Sequence, residues 1–257
     1  MEVFIKNIEF LINCFIEVLI MEKNIFIHFG KQMSASPFSV IHHPSPKAYL
    51  IFFHGNASSI DQEYPYWAQI SSNLQVTVFL IEYLGYYVAK NLPETNIIDE
   101  IMEDARKNYN NTKQYMKHKL PIIFVGQSIG SAVAIHLAAT IGCDHLILIT
   151  PIAELNSSSY MAIYQNNMRW QLFGIFDPLV YIGTLFIPTY FSKNIDRIQT
   201  MKCNISMLSA ENDTILPYEL HGKRLMELNK NIYSKLVLGN HNIKFEEIEK
   251  FLKKVII

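Results

Sequence analysis

The stretch Ile122-Ile-Phe-Val-Gly126-Gln-Ser128-Ile-Gly130-Ser-Ala-Val-Ala-Ile135 constrains this chain more than any other. A short apolar run enters Gly126-Gln127-Ser128-Ile129-Gly130, and an Ala-rich segment free of proline leaves it. That pattern is a buried strand passing into a helix through a G-x-S-x-G turn. Such a turn is sharp: glycine is required where strand and helix approach, and the serine takes a strained backbone. The Ser128 hydroxyl is thereby held out above the sheet. The N–H of Ile129, at the helix start, faces the same space and can stabilise an oxyanion. The pentapeptide alone is common; the strand before it and the helix after it give it meaning.

Around this turn the chain alternates strand-like and helix-like stretches, the pattern of a mostly parallel sheet with helices on both faces. Strands are predicted at 49–53, 75–81, 122–125, 145–150, 205–209 and 233–238. Helices are predicted near 59–73, from Pro93 through about Tyr115, and at 129–141, 217–229 and 243–255. No repeat or low-complexity tract interrupts the series.

A serine hydroxyl is a poor nucleophile unless a histidine takes its proton and a carboxylate orients that histidine. In this topology the order is serine, acid, histidine, each at the carboxyl end of a strand. The predicted strand 205–209 runs into Ala210-Glu211-Asn212-Asp213-Thr214, and the strand 233–238 into Gly239-Asn240-His241-Asn242. Asp213 is preferred to its rival Glu211 because it stands just before Thr-Ile-Leu-Pro, which leads into the next helix. His54-Gly55-Asn56 ends the strand 49–53, so the N–H of Asn56 is the expected second oxyanion donor, with His54 shaping the turn. His136, His145, His221, His28, His42, His43 and His118 sit in helix, strand or loop settings, with no spacing that indicates a metal.

Composition bounds the partners. Of 257 residues half are hydrophobic and 18% charged, with 22 Lys and Arg against 23 Asp and Glu, a formal net charge of −1. Scattered cations offer no footprint for nucleic acid. Cys14, Cys143 and Cys203 form neither a disulfide framework nor a paired motif and fit a reducing compartment. In the first 22 residues, Glu2, Lys6, Glu9, Asn13 and Glu17 draw a polar stripe along one amphipathic helix. Its apolar face packs on the domain or a second copy, or lies on a membrane surface, where Cys14 can carry an acyl chain. From His145 to Ser192 only Glu154, Arg169 and Asp177 are charged. An apolar lid inserted at about 151–200 is the expected use of this stretch, with a cap that merely packs on the domain as the alternative. A membrane span there would put Ser128 and the Asp213/His241 pair on opposite sides of the bilayer.

His54-Gly-Asn-Ala57, Gly126-Gln-Ser-Ile-Gly130-Ser-Ala-Val-Ala-Ile135 and Gly239-Asn-His-Asn242 together resemble the α/β-hydrolase superfamily. Within it they are most similar to the group containing the α/β-hydrolase-domain-containing proteins 13 and 17, from about Ile25 to the C-terminus. The resemblance implies a serine hydrolase with Ser128 as nucleophile, Asp213 as acid and His241 as base. It also points to the type 17 activity, removal of palmitoyl groups from cytoplasmic proteins at membranes. Two departures stand out. The family's R/S-G-Y-G-x-S turn is Tyr83-Leu-Gly-Tyr-Tyr87-Val-Ala89 here, which places a bulky Tyr87 at the expected pocket rim. The cysteine-rich N-terminus of the type 17 proteins is reduced to Cys14, and one acyl chain alone gives only marginal membrane binding.

The expectation is therefore a cytoplasmic, peripherally membrane-associated acyl-protein thioesterase that needs no cofactor and acts on an acylated protein. A lipid or small-ester carboxylesterase is the second reading, a serine peptidase the third, and a catalytically silent membrane-associated scaffold the fourth.

Overall fold

The computed structural model describes residues 38–56, 58–82, 97–167 and 191–256. The amphipathic segment 1–22 with Cys14, the Tyr83 to Ala89 turn and residues 168–190 of the expected lid lie outside them.

Seven strands form one sheet: β1 (Phe38–Ile41), β2 (Ala48–Phe53), β3 (Val76–Ile81), β4 (Ile122–Gln127), β5 (His145–Ile149), β6 (Asn204–Ala210) and β7 (Ile232–Val237). Their order is β1-β3-β2-β4-β5-β6-β7; β1 runs antiparallel to β3 and every other pairing is parallel. Every residue of β2 and β3 is buried. Continuous apolar runs of this kind are what a parallel sheet covered on both faces demands. Alternation then sorts the side chains: Tyr49, Ile51 and Phe53 of β2 enter one core with Phe124 and Val133, while Leu50 and Phe52 enter the other with Trp67 and Phe251. The Phe52 and Trp67 rings lie 4.2 Å apart. Each fully buried aromatic of this kind contributes roughly 2–3 kcal/mol over an exposed one.

The helices are α1 (Ile60–Leu74), α2 (Ile97–Thr112, continued by a 3₁₀ turn Lys113–Tyr115), α3 (Ile129–Ile141), α4 (Ser157–Asn167), α5 (Lys193–Thr200), α6 (Gly222–Leu228) and α7 (Phe245–Ile256). α1 and α7 cover one face of the sheet; α2, α3, α5 and α6 contribute to the core on the other. α1 starts on Ser59, whose side chain accepts from the Gln62 N–H, and it accommodates Pro65 in its interior. It ends where Gln75 turns left-handed, with φ 55°. Among the described residues no helix is long and apolar enough to cross a membrane.

Three elements escape the sequence pattern. β1 is a four-residue edge strand with a half-buried centre, too short to show a period. α4 and α5 lie inside the stretch read as a lid. α5 packs firmly on the body through Ile198 and Asn194, both fully buried, and the Asn194 side-chain amide donates to the Ile152 carbonyl at 3.3 Å. The predicted helix 217–229 begins instead as a turn, in which Leu220 N–H and His221 N–H both bond to the Pro217 carbonyl, and becomes helical only at Gly222.

Candidate active site

Ser128 occupies the junction of β4 and α3 with φ 53° and ψ −120°, a region that L-residues other than glycine avoid. Surrounding bonds hold it there. Its N–H donates to the Ile149 carbonyl at 3.0 Å, and its carbonyl accepts from the Ser131 N–H at 2.9 Å and the Ser131 hydroxyl at 2.5 Å. The Ser131 Oγ accepts in turn from the Ile152 N–H at 2.9 Å, tying the turn to the exit of β5. A Cβ at Gly126 would run into the backbone of Gly130 and Ser131, and one at Gly130 into the carbonyls of Phe53 and His54. The turn is thus seated on the end of β2, where His54-Gly55-Asn56 begins.

β6 and β7 deliver the other two side chains. Asp213 is buried, and its Oδ1 accepts from the N–H groups of Ile215 at 2.9 Å and Leu216 at 2.7 Å. Its Oδ2 lies 2.8 Å from His241 Nδ1, and His241 Nε2 lies 2.9 Å from Ser128 Oγ. With an ionised carboxylate as acceptor, Nδ1 is the donor, so the neutral ring turns its Nε2 lone pair to the serine hydroxyl. Glu211 is exposed, and of the two candidate acids it is Asp213 that the structure brings to His241.

Ser128 and His241 open into a cavity of about 470 Å³. Asn56 and Ile129 line it beside them, and Ile152, Leu155, Ile215 and Leu216 give it an apolar wall. Ile129 is the first residue of α3, so its N–H has no carbonyl partner within the helix. The expected nucleophile, base and oxyanion donors therefore share one space, with the acid immediately behind the base.

No protein-family model matches the chain. In sequence it is similar to α/β hydrolase domain-containing protein 17C of Mus musculus, 31% identical over 113 residues, 42% of this chain and 33% of that protein. It is 25% identical to α/β hydrolase domain-containing protein 17B of Xenopus laevis over 185 residues, 72% of this chain and 56% of the relative. The aligned part thus spans between about a third and a little over half of these relatives' length. Its backbone is similar to an esterase of Pyrococcus furiosus, with TM-score 0.57, 16% identity and coverage of 81% and 82% of the two chains. It also matches MenH from S. aureus, with TM-score 0.60, 15% identity and coverage of 86% and 99%. The chain has the α/β-hydrolase fold and is similar in sequence to the α/β hydrolase domain-containing proteins 17B and 17C.

Two buried histidines lie close to the site without joining its hydrogen-bonded chain. His54 is 1% exposed, with Nδ1 2.9 Å from the Gly55 carbonyl and Nε2 2.6 Å from Glu82 Oε1. A carbonyl only accepts, so Nδ1 donates, and one further proton lies between Nε2 and the carboxyl. Burial opposes charge on the ring, but the charge and hydrogen bond of Glu82 outweigh it and hold His54 above its ordinary value. Glu82 Oε2 also accepts from the Ile60 N–H at 3.4 Å, and its carbonyl from the Asn108 side chain at 2.8 Å. The pair thus joins the Asn56 turn to the end of β3 and the start of α1. Sequence reasoning gave His54 the turn but missed Glu82; the available signal was a lone carboxylate closing an apolar strand.

His221 is as deeply buried, and its Nδ1 accepts from the Ala153 N–H at 3.4 Å. Burial, with only partial compensation from Asp213, brings its pKa down to about 4. Among the described residues no group of three or more His, Cys, Asp or Glu could hold a metal ion.

Proposed function

We propose that the protein is a serine hydrolase that cleaves an ester or thioester through an acyl-enzyme, acting as an acyl-protein thioesterase of the depalmitoylase kind. The observation that carries this reading is His241, bonded through one ring nitrogen to a buried carboxylate and through the other to the hydroxyl of a strained serine.

His241 Nε2 takes the Ser128 proton as Oγ attacks the acyl carbonyl carbon. The carbonyl oxygen becomes an oxyanion that accepts from the N–H groups of Ile129 and Asn56. Asp213 holds the ring in one tautomer and stabilises the imidazolium. Collapse breaks the bond to the thiol or alcohol, which leaves with the proton from His241. Water then gives a proton to His241, attacks the acyl-enzyme, and releases the acid while Ser128 regains its hydrogen. The apolar wall of Ile152, Leu155, Ile215 and Leu216 suits an acyl chain. The thioester preference is drawn from the similarity to the type 17 proteins and from the scarcity of charge between His145 and Ser192.

Labelling by a fluorophosphonate probe tests the chemistry: wild type is labelled and Ser128→Ala is not. Equal labelling of the two would sink the reading. Among substrates, S-acylated cysteine peptides are expected to exceed the oxygen esters of the same acid in kcat/KM. A preference for oxygen esters would favour the carboxylesterase reading, and a steep preference for acetyl over octanoyl would remove the acyl-chain role of the wall. Peripheral membrane contact through residues 1–22 belongs to the same proposal; deleting them is expected to lower vesicle partition and leave turnover of a soluble ester unchanged.

A further inference from the structure

The catalytic cavity carries one carboxylate that the proposed reaction does not use. Glu63, in the first turn of α1, lines it together with Ser128 and His241. The same residue, with Gln127, also lines an adjoining groove of about 210 Å³ whose other walls include Tyr66, Trp67, Ile243 and Phe245. The carboxylate is held in place: Oε1 accepts from the Ser58 hydroxyl at 2.6 Å and Oε2 from the Trp67 indole N–H at 3.3 Å. A carboxylate offers about four acceptor directions, so each oxygen keeps one for a further donor. The groove beside it is aromatic, with the Tyr66 and Phe245 rings 5.2 Å apart and Tyr66 52% exposed.

The nearest cationic influence on this charge is the buried His54, whose pKa Glu63 helps to raise but whose ring nitrogens are bonded to Glu82 and Gly55. Among the described residues no Lys or Arg lines the cavity or the groove, and none forms an ion pair with Glu63. Lys244, between Ile243 and Phe245 in sequence, is exposed and is not part of the groove wall. A fixed carboxylate flanked by aromatic faces, with no lysine or arginine beside it among the described residues, is complementary to an ammonium or guanidinium group. Its place relative to the reaction is also informative. Ile243 and Phe245 belong to the segment directly after His241, and His241 is the group that hands its proton to the departing atom. The groove shares Glu63 and Gln127 with the catalytic cavity, and none of its residues belongs to the apolar wall assigned to the acyl chain.

We infer that the Glu63 groove is a leaving-group subsite that takes a positive charge carried by the alcohol or thiol half of the substrate. This rests on the serine-hydrolase reading above and adds a substrate class to it. The charge has two possible sources, a small quaternary-ammonium ester or a Lys or Arg beside the acylated cysteine of a peptide. The same carboxylate disfavours leaving groups that bear phosphates, acyl-coenzyme A among them.

Paired substrates read the subsite directly. Butyrylthiocholine is compared with its neutral carbon isostere, the 3,3-dimethylbutyl thioester of butyrate. In a second arm, an S-octanoyl cysteine peptide with an adjacent Lys is compared with the same peptide carrying norleucine. Wild type is expected to favour the cationic member of at least one pair by roughly tenfold in kcat/KM, mostly through KM. Preference in the first arm identifies a small ammonium ester, and in the second a basic peptide. Glu63→Gln, and separately Tyr66→Ala at an exposed ring, should each pull the ratio towards one; the ratio is the readout, so a general loss of rate in either variant does not obscure it. A wild-type ratio near one in both arms, or a ratio that both variants leave intact, overturns the subsite. Fluorophosphonate labelling of Ser128 separates the two levels: without labelling the serine-hydrolase reading itself fails, whereas labelling with a ratio near one removes the subsite alone.

Discussion

Among the described residues two acid–histidine pairs stand out, Asp213 with His241 and Glu82 with His54, and each spans 28 residues of chain. Both join a buried carboxylate to an imidazole at hydrogen-bond distance, 2.8 Å in the first and 2.6 Å in the second. What separates them is the partner of the other ring nitrogen. His241 turns Nε2 to a hydroxyl in an open cavity, so a proton can move between them. His54 turns Nδ1 to the Gly55 carbonyl, which never has a proton to give. The first pair is fit to transfer a proton and the second to hold a turn; the chemistry lies in the third partner, not in the pair.

The sharpest way to break this contrast is to remove the third partner. Ser128→Ala should lower kcat about a million-fold, to the level left by binding and the oxyanion donors. Asp213→Asn should cost about ten thousand-fold in kcat, because the amide favours the wrong tautomer of His241. Esterase assays on the purified variants measure both, and a loss under tenfold for Asp213→Asn would reduce the first pair to the rank of the second. Glu82→Ala removes the group that keeps His54 protonated, leaving a buried neutral ring with Nε2 unpartnered, and a buried polar group left without its partner costs about 1–3 kcal/mol. Urea unfolding should show that loss, with a fall in kcat of under a hundredfold and fluorophosphonate labelling retained. A stability within 1 kcal/mol of wild type would deny the pair its structural role.

Buried histidines give smaller, pH-dependent effects of opposite sign. His221, held near 4 against an ordinary value of about 6.5, binds its proton later than the unfolded chain as pH falls. Its contribution is present above pH 6.5 and is lost progressively down to about pH 4, on the order of 3 kcal/mol in all. His54 is raised, so its contribution is present below pH 6.5 and declines as pH climbs through its folded value. Melting curves across this range should show a shallower acid limb in His221→Leu and the loss of the His54 decline in Glu82→Gln. An unchanged acid limb in His221→Leu would contradict the first assignment. The smallest effect belongs to Glu211→Gln: an exposed carboxylate outside the bonded chain should alter kcat by less than twofold and stability by under about 0.5 kcal/mol.

Much of this was legible in the sequence because the constraints were local. The strand, the two glycines and the Ala-rich helix around Ser128 fall within a few turns of chain, and α3 begins and ends where the pattern places it. The Asp213 and His241 loops were legible because each follows an apolar strand, and strand ends are where a parallel sheet gathers its chemistry. The rest depends on contacts distant in sequence. Glu82 reads as an ordinary strand-end acid until folding sets it against His54. α5 shows two buried positions, Asn194 and Ile198, one of them polar, and a helix of eight residues gives little period to read. The groove beside Glu63 is assembled from α1, β4 and the segment after His241, which no single stretch of sequence brings together.

The crowding at Gly126 and Gly130 has a consequence for how such a site can be lost. On the proposed reading, replacing Ser128, Asp213 or His241 by a residue of similar size is expected to remove activity while leaving the architecture in place. A side chain at either glycine strikes backbone, which cannot move without separating α3 from β2 and β4. If the proposed chemistry holds, genetic decay has a quiet route through the three side chains and a costly route through the glycines, which removes the fold along with the site.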